Sequence, residues 1–479
     1  MREANPLLTS LRQSADATTV RQIEHLIDRA PDRDLNRINP LAFAAKHDLD
    51  EEQTIGAFLH AAEIGLFEMS WNVLCPGCGG VLNASATLKS VDRDEYSCAL
   101  CAAGYEPTLD EMVEVTFTVS PRVRRIGGHA PDELSPLEYY RQMFWSSGVD
   151  LPEDLESLVE QITLDLIELP AGEKAFLSVQ LPAEFVIIFD PVTHATQFID
   201  VKGEPTRERQ SLSMVIARGH TPNETLTMRP GPLRLSIENH TDSRVLPGLW
   251  VAGTELHSLL KRRRPFLTAK RLLSNQTFRD IYRADTLDVD QRLKITSLTF
   301  LFTDLKGSTE LYERVGDLAA FDLVRAHFRV LQEVVAAEGG AVVKTIGDAV
   351  MATFPTPDRA LSAALKMRNA MRNLNAERGR EDLILKIGIH EGPCLAVMLN
   401  DRQDYFGQTV NIASRVQNLA VSQAIFATGP VVDDQNASRI LSRSGVAPVS
   451  HRAALRGIAD EFQVYELPWA ERGFAEHAS

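Results

Sequence analysis

The sequence is short of basic residues, of cysteine and of long apolar runs. Its 50 lysines and arginines face 65 acidic residues, and the resulting formal charge of −15 argues against a general binder of nucleic acid or of anionic membranes. No apolar run approaches the length that spans a bilayer, and the residues after Met1 lack the basic and apolar regions of a signal peptide. These absences predict a soluble, cytoplasmic protein, while small metal-bound phosphates remain compatible with the charge.

Only five cysteines are present, and four of them form two Cys-x-x-Cys pairs, which are Cys75, Cys78, Cys98 and Cys101. Nineteen residues separate the two pairs, a spacing typical of a four-cysteine zinc ribbon, and in a reducing compartment such pairs indicate metal ligands before disulfides. Four thiolates close the coordination shell, so we expect a structural zinc ion rather than a catalytic one. The alternative is four unrelated buried thiols. Cys394 stands alone and is expected to be a small buried apolar residue.

The length of the chain predicts two to four domains, because single hydrophobic cores stop growing well below 479 residues. Composition and periodicity predict a helical region with the zinc ribbon, a β-rich domain, a helical connector and a carboxyl-terminal domain, at residues 1–110, 111–260, 261–294 and 295–470. In the first region, Asp50 begins a capping pattern ahead of apolar residues at helical spacing. A winged helix and a plain helical packing element both fit this region. We favour the second and assign no DNA binding.

Apolar residues that alternate with polar ones mark the β-rich domain, for example at residues 113–119, 177–181 and 233–237. This period of two predicts several antiparallel strands that form a small sandwich or barrel. The connector begins with six basic residues and no acid between Lys261 and Arg271, followed by an amphipathic segment. We interpret it as a solvated connecting helix, with a local phosphate or lipid contact as the alternative.

Three segments of the carboxyl-terminal domain carry closely spaced polar residues: Phe302-Thr303-Asp304-Leu305-Lys306-Gly307-Ser308-Thr309, Lys344-Thr345-Ile346-Gly347-Asp348 and Asp404-Tyr405-Phe406-Gly407-Gln408-Thr409-Val410-Asn411-Ile412-Ala413-Ser414-Arg415. They resemble the motifs of the class III nucleotidyl cyclases, and the resemblance covers about residues 295–467. It implies a ferredoxin-like α+β domain that closes a nucleoside triphosphate into a 3′,5′-cyclic monophosphate and releases pyrophosphate.

That reaction calls for two divalent ions and hence for at least two carboxylates close together. Asp304 follows the strand-like run 298–302, so we expect its carboxylate just past the carboxyl end of a buried strand. Asp348 follows Gly347 between two strand-like runs, which predicts a hairpin whose tip brings Asp348 beside Asp304. Either aspartate alone would suit a turn. Together they are expected to hold two Mg²⁺ or Mn²⁺ ions, and the resemblance adds the backbone of Leu305 as a ligand.

Four further side chains are expected to act on the nucleotide. Lys344 can donate to adenine N1 and Asp404 can accept from the N6 amine, whereas guanine reverses both roles, so ATP is expected before GTP. Asn411 and Arg415 lie four residues apart on a helical segment and therefore on one face, where Arg415 would meet charge on the α-phosphate and Asn411 would orient the ribose. An incidental surface helix is the alternative. By resemblance, Arg456 stands where relatives carry a lysine that contacts the terminal phosphates.

In the resembled family the metal aspartates come from one catalytic domain and the base-reading residues from a second one. This chain has one such domain with both sets, so the resemblance implies a head-to-tail homodimer with two sites at its interface. His390, at the end of a strand-like run, is expected to be structural, because a metal ion already activates the attacking hydroxyl.

The leading hypothesis is therefore an adenylate cyclase with an amino-terminal regulatory or dimer-organising region. The first alternative is a degenerate cyclase that binds nucleotide without turning it over. The second places the main activity in the zinc-ribbon and β-rich regions, as an adaptor, and its nucleic-acid form is weakened by the acidic charge.

Overall fold

The computed structural model describes residues 4–91, 95–217, 224–282, 292–380, 383–399, 402–420, 424–455 and 461–468. It divides the chain into two compact units. The amino-terminal unit comprises residues 1–107 and 111–267, and the carboxyl-terminal unit comprises residues 108–110 and 268–479. This division into two units does not test the boundaries of the four segments predicted from the sequence, which stay predictions.

The amino-terminal unit mixes helices and short strands. Its helices are α1 (Ala4–Ser14), α2 (Ala17–Arg29), α3 (Pro40–His47), α4 (Glu51–Glu63), α5 (Pro136–Tyr139), α6 (Leu155–Ile162) and α7 (Thr254–Lys261). Its strands are β1 (Phe67–Leu74), β2 (Val81–Ser85), β3 (Tyr96–Cys98), β4 (Ala103–Tyr105), β5 (Val113–Val119), β6 (Thr163–Leu166), β7 (Lys174–Leu181), β8 (Val186–Phe189), β9 (Thr196–Val201), β10 (Gln210–Ile216), β11 (Leu226–Met228), β12 (Gly231–Asn239) and β13 (Gly248–Val251). The predicted cap is present, since Asp50 accepts a hydrogen bond from Gln53 N at 2.8 Å.

Two sheets of this unit form the predicted sandwich. One has the order β10-β12-β7 and the other β11-β9-β8-β13-β6, and alternate side chains of both fill a shared core that includes Ile188, Leu235 and Leu249. The several antiparallel strands predicted for it are present, since β7 pairs with β12, and β8 with β9 and β13, in this way, whereas β10 pairs with β12, and β11 with β9, in parallel. Between β10 and β12 the chain crosses to β11 in the other sheet, so β12 returns in the direction of β10. Strand β5 belongs to a separate sheet, β2-β1-β5.

The carboxyl-terminal unit is built on one large sheet. Its helices are α8 (Ala269–Leu273), α9 (Gln276–Ile281), α10 (Ser308–Val315), α11 (Asp317–Ala337), α12 (Pro357–Arg378), α13 (Gln408–Leu419), α14 (Gly429–Val432) and α15 (Gln435–Arg443). Its strands are β14 (Leu293–Leu305), β15 (Ala341–Ile346), β16 (Ala349–Phe354), β17 (Leu385–Leu399), β18 (Arg402–Phe406), β19 (Ile425–Thr428), β20 (Val449–Ala454) and β21 (Glu461–Leu467). The eight-stranded sheet has the order β15-β16-β14-β17-β19-β21-β20, with β18 paired to β17.

Helices cover both faces of this sheet. Leu301 of β14 and Ile387 and Ile389 of β17 face a core shared with α11, α12 and α15. The intervening residues of β17 face α13 on the opposite side. Gly388 is required there, because a Cβ atom at this position would lie 2.1 Å from the backbone nitrogen of Gln417. Helix α13 therefore lies directly against the strand.

The connector differs from the prediction of one solvated helix. Two short helices, α8 and α9, replace it, and Leu272, Leu273 and Phe278 are buried within the carboxyl-terminal unit. The amphipathic pattern that suggested a solvent-facing helix thus marks a face that packs on the sheet. The same unit holds residues 108–110, where Asp110 pairs with Lys270 at 3.0 Å and accepts a hydrogen bond from Thr296 N at 2.6 Å. Among the described residues, none of the helices combines the length and apolarity needed to cross a bilayer.

Candidate active site

Asp304 lies on the face of the sheet that α13 covers. It is the penultimate residue of β14, so the prediction that it follows the strand is wrong by two residues, because pairing with β17 continues to Leu305. Its partner across the ladder is Lys386, whose Nζ donates to Asp304 Oδ2 at 2.9 Å. The Asp304 side chain is 29% exposed, and therefore accessible to a ligand.

Asp348 lies at the tip of the predicted hairpin between β15 and β16. Gly347 has φ +64°, the left-handed conformation that such a two-residue turn requires. Pairing of Thr303 with Val350 places Asp304 and the turn that carries Asp348 at the same end of the sheet. Asp348 Oδ2 is buried and has no hydrogen-bond partner among the described residues. A buried carboxylate oxygen without a donor suits a cation, so the donor set of the two aspartates fits divalent metal ions.

A β-bulge decides where the Lys344 side chain lies. Val342 pairs with Ala352 and Lys344 with Met351, which leaves Val343 as an extra residue in β15. If Val343 instead paired with Met351 in a regular ladder, Lys344 would lie opposite Val350, whose side chain belongs to the core on the other face. The bulge therefore puts Lys344 on the face that carries Asp304.

The side chains of Lys344 and Asp404 contact each other. Lys344 Nζ donates to Asp404 Oδ2, and the other carboxylate oxygen, Oδ1, accepts from Tyr405 N at 2.8 Å. The Asp404 side chain is only 12% exposed, whereas that of Lys344 is 42% exposed. The aspartate is thus held by the sheet, and the lysine end of the pair is open to solvent.

Asn411 and Arg415 lie one turn apart on α13, Asn411 exposed and Arg415 half-buried. In the part of this chain that the structure describes, no ion pair joins Arg415 to Asp304 or Asp348. Leu305 has its side chain in the core, and the role of its backbone stays a prediction. Arg456 lies outside the described residues.

One charged residue at this site was not predicted from the sequence. Lys386 is the only charged residue in the apolar run 383–389, and it places an ammonium group on the carboxylate of Asp304. A single positively charged residue within the sequence pattern of a buried strand is uncommon, and this pattern could have indicated Lys386.

His390 has the structural role expected of it. Its ring Nδ1 lies 2.7 Å from Thr428 Oγ1, and only 6% of the residue is exposed. Burial lowers the pKa of His390 to about 4, so the ring is neutral at physiological pH.

The four paired cysteines come together in the amino-terminal unit. Their sulfur atoms lie within 4.8 Å of one another, and the Cys75–Cys101 and Cys78–Cys98 separations are both 3.7 Å. Zinc–sulfur bonds of about 2.3 Å in a tetrahedron give sulfur–sulfur separations of about 3.8 Å. None of the five cysteines, all of which are described, forms a disulfide. The geometry therefore fits a tetrahedral metal ion.

Comparison with known sequences assigns both parts of the chain. Residues 1–280, more than half of the chain, match a family of unknown function, DUF5939. The protein belongs to the DUF5939 family. Residues 291–450 match the adenylate and guanylate cyclase catalytic domain. The predicted class III cyclase domain is thereby confirmed, and in this DUF5939 protein it follows the residues that match the family.

Several curated relatives are similar to this DUF5939 protein in the cyclase domain. An adenylate cyclase from Anabaena cylindrica is 33% identical over 135 residues, which cover 26% of this chain and 27% of the relative. One from Streptomyces coelicolor is 33% identical over 165 residues, covering 34% and 38%. One from Mycosarcoma maydis is 30% identical over 168 residues, covering 31% and 7%. The match thus spans well under half of each of these relatives.

Solved structures of cyclases also align with the DUF5939 protein. The adenylyl cyclase CyaB from P. aeruginosa is 23% identical, with a TM-score of 0.33, and the alignment covers 38% of this chain and 98% of that chain. The guanylate cyclase domain of RhGC from Catenaria anguillulae is 20% identical, with a TM-score of 0.33, and the coverage is 36% and 97%. The assignment of the cyclase domain rests on the sequence matches.

The buried imidazole predicts a loss of stability in acid. The unfolded chain binds a proton on His390 near its ordinary pKa of 6.5, whereas the folded chain does so only near pH 4. Stability is therefore lost as the pH falls from 6.5 towards 4, and by pH 5 the loss from this group is about 2 kcal/mol. Urea unfolding followed by circular dichroism at pH 7.5 and pH 5.0 should show a smaller loss in His390→Gln, which cannot titrate. His451→Gln, at an exposed ring, is the control and should behave as wild type. Equal losses in all three proteins would contradict the role of His390.

Proposed function

We propose that this protein is an adenylate cyclase that converts ATP to 3′,5′-cyclic AMP and pyrophosphate. The observation that carries the proposal is the convergence of an acidic pair, Asp304 and Asp348, at one end of the sheet, while a separate pair, Lys344 and Asp404, makes its own ion pair. The first pair suits metal-bound phosphates and the second suits the edge of a base. The matched cyclase domain supports the same reaction.

Asp304 and Asp348 would hold two Mg²⁺ or Mn²⁺ ions, with the Leu305 backbone as a further ligand. When bound, such ions lower the pKa of the attacking 3′-hydroxyl and neutralise charge on the phosphates. Lys386 already holds Asp304 as an ion pair at 2.9 Å. Its ammonium group orients the carboxylate and adds positive charge where the phosphates of the substrate would lie.

Adenine is the base that the Lys344–Asp404 pair fits. An ammonium group donates to the unprotonated N1 of adenine, and a carboxylate accepts from its N6 amine, whereas guanine offers a donor at N1 and an acceptor at O6. Because Asp404 is mostly buried and its Oδ1 is bound to Tyr405 N, its Oδ2 is the oxygen left for the base or for Lys344. The pair therefore discriminates chiefly through the fixed position of the Asp404 carboxylate.

Arg415 would stabilise the charge that develops on the α-phosphate, Asn411 would orient the ribose, and Arg456 would contact the terminal phosphates. We infer that these residues act on nucleotide held by a second copy of the chain. The exposed side chains of Ile346 and Phe406, 54% and 66% exposed, lie within two residues of Lys344 and Asp404 and offer apolar area for such a partner. The site would then be complete only in a homodimer.

The four thiolates of the amino-terminal unit would hold a structural zinc ion. The sulfur–sulfur separations of 3.7 Å suit it, and Arg263 further fixes the turn, because its Nη2 donates to the carbonyl oxygen of Gly77 at 2.8 Å. A closed sulfur shell leaves no position for substrate, so this ion would stabilise the fold without taking part in the reaction.

Product identification tests the proposed reaction. Purified protein incubated with ATP or GTP and either Mg²⁺ or Mn²⁺ should form cyclic AMP and pyrophosphate from ATP, as determined by mass spectrometry, with ATP preferred to GTP. Asp304→Asn and Asp348→Asn should each lose at least about a hundredfold in turnover, because each removes a charged ligand of the metal ions. Nucleotide binding without any cyclic product from the wild type would instead support a degenerate nucleotide sensor.

Mixing two inactive variants tests the shared site. Asp304→Ala and Arg415→Ala should each be inactive alone. The first removes a ligand from the part of the site that holds the metal ions (the metal half), and the second removes the charge that would face the α-phosphate. In a heterodimer both lesions fall in one site and the other site is whole, so equal mixing should restore roughly a quarter of wild-type activity per chain. The matched control is a mixture of Asp304→Ala with Asp348→Ala, which leaves every site with a damaged metal half. No recovery in the first mixture, with heterodimers shown by native mass spectrometry, would mean that each chain builds its own site.

Removal of one thiolate tests the metal site. Cys98→Ser should purify with little zinc and with a destabilised amino-terminal unit, because a structural zinc ion contributes directly to folding free energy. Cys394→Ser is the control, since this buried cysteine lies in the other unit. Zinc content is measured by elemental mass spectrometry. Wild-type protein with much less than about one zinc per chain would argue against the assignment.

A further inference from the structure

The second connector helix, α9, contacts the two strands that carry Lys344 and Asp404. Gln276 Oε1 accepts a hydrogen bond from Val342 N at 2.8 Å. Arg279 Nη2 donates to two backbone carbonyl oxygens, that of Gln403 at 2.8 Å and that of Val343 at 3.4 Å. One guanidinium group therefore bridges β15 and β18.

The contacts on β15 fall on the bulge. Val343 is the extra residue, and a bulge leaves backbone groups outside the ladder that must find other partners. Gln276 and Arg279 supply partners at Val342 and Val343, the two residues that precede Lys344. Since the bulge places Lys344 on the face of Asp304, the connector stabilises the backbone conformation that aims the lysine.

The contacts on β18 flank Asp404 on both sides. Gln403, which precedes it, is held through its carbonyl by Arg279. Tyr405, which follows it, is buried and donates its hydroxyl hydrogen to the carbonyl oxygen of Leu273 in α8 at 3.2 Å. Burial, with smaller effects from neighbouring groups, raises the pKa of Tyr405 to about 12, so the hydroxyl remains a donor at neutral pH.

We propose that Arg279 is a positioning residue that fixes the separation of Lys344 and Asp404 and so sets the preference of the site for adenine. The role rests on the proposed function of the Lys344–Asp404 pair. Arg279 contacts neither the substrate nor the metal ions of the proposed site. Its loss should weaken base recognition and leave the chemical step, which depends on Asp304 and Asp348, largely intact.

The test compares two variants. Arg279→Met keeps an unbranched side chain but loses the hydrogen-bond donors, whereas Arg279→Lys keeps the positive charge. Steady-state kinetics with ATP and with GTP should show that Arg279→Met raises KM for ATP about tenfold and lowers the ratio of kcat/KM for ATP over GTP by a similar factor. The kcat of this variant should stay within about threefold of wild type. Arg279→Lys should recover part of both losses. Thr277→Ala, half-buried on the same helix, is the control and should match wild type.

Binding without turnover separates this role from the reaction itself. The analogues 3′-deoxy-ATP and 3′-deoxy-GTP lack the attacking hydroxyl, and calorimetry of their binding should show the same loss of adenine preference in Arg279→Met. A wild type that binds the analogues in this way but forms no cyclic nucleotide would contradict the proposed reaction and leave the role of Arg279 supported. Unchanged KM, affinity and base preference in both Arg279 variants, or a loss confined to kcat, would overturn the role. If Arg279→Met fails to fold, Arg279→Lys decides by the same criteria.

Discussion

The antiparallel pairing of β14 with both β16 and β17 is the constraint on which the carboxyl-terminal unit depends. Because side chains alternate along a strand, this register puts Leu301 into one core and Asp304 on the opposite face. The same register opposes Lys386 to Asp304 and brings the Asp348 turn to the same end of the sheet. A slip of one residue would bury the carboxylate and expose the core, so the site and the core are specified together.

Close packing of α13 is the second consequence of that register. Gly388 lets the helix backbone approach the strand, and buried residues such as Ile412 and Val416 anchor the helix on the sheet. Asn411 and Arg415 are thereby fixed on a rigid element, which suits groups that must meet charge in one position. In this chain Arg415 makes no ion pair with the aspartates among the described residues.

The connector is packed within the carboxyl-terminal unit and also contacts the strands that carry Lys344 and Asp404. It is anchored through the buried side chains of Leu272, Leu273 and Phe278, and through hydrogen bonds from two of its polar side chains to the β15 bulge. Packed interfaces have few intermediate arrangements, so a segment held in this way restrains the backbone that it contacts.

The sequence by itself determined the chemistry-bearing residues and the elements that carry them. The β15–β16 hairpin, the helix with Asn411 and the cysteine spacing all follow from local patterns, since turn residues and period are encoded over a few positions. Tertiary structure alone decided the bulge at Val343, the pairing of Lys386 with Asp304 and the burial of the connector. Each of these depends on which distant element lies alongside, and the few residues around each position do not encode the identity of that neighbour.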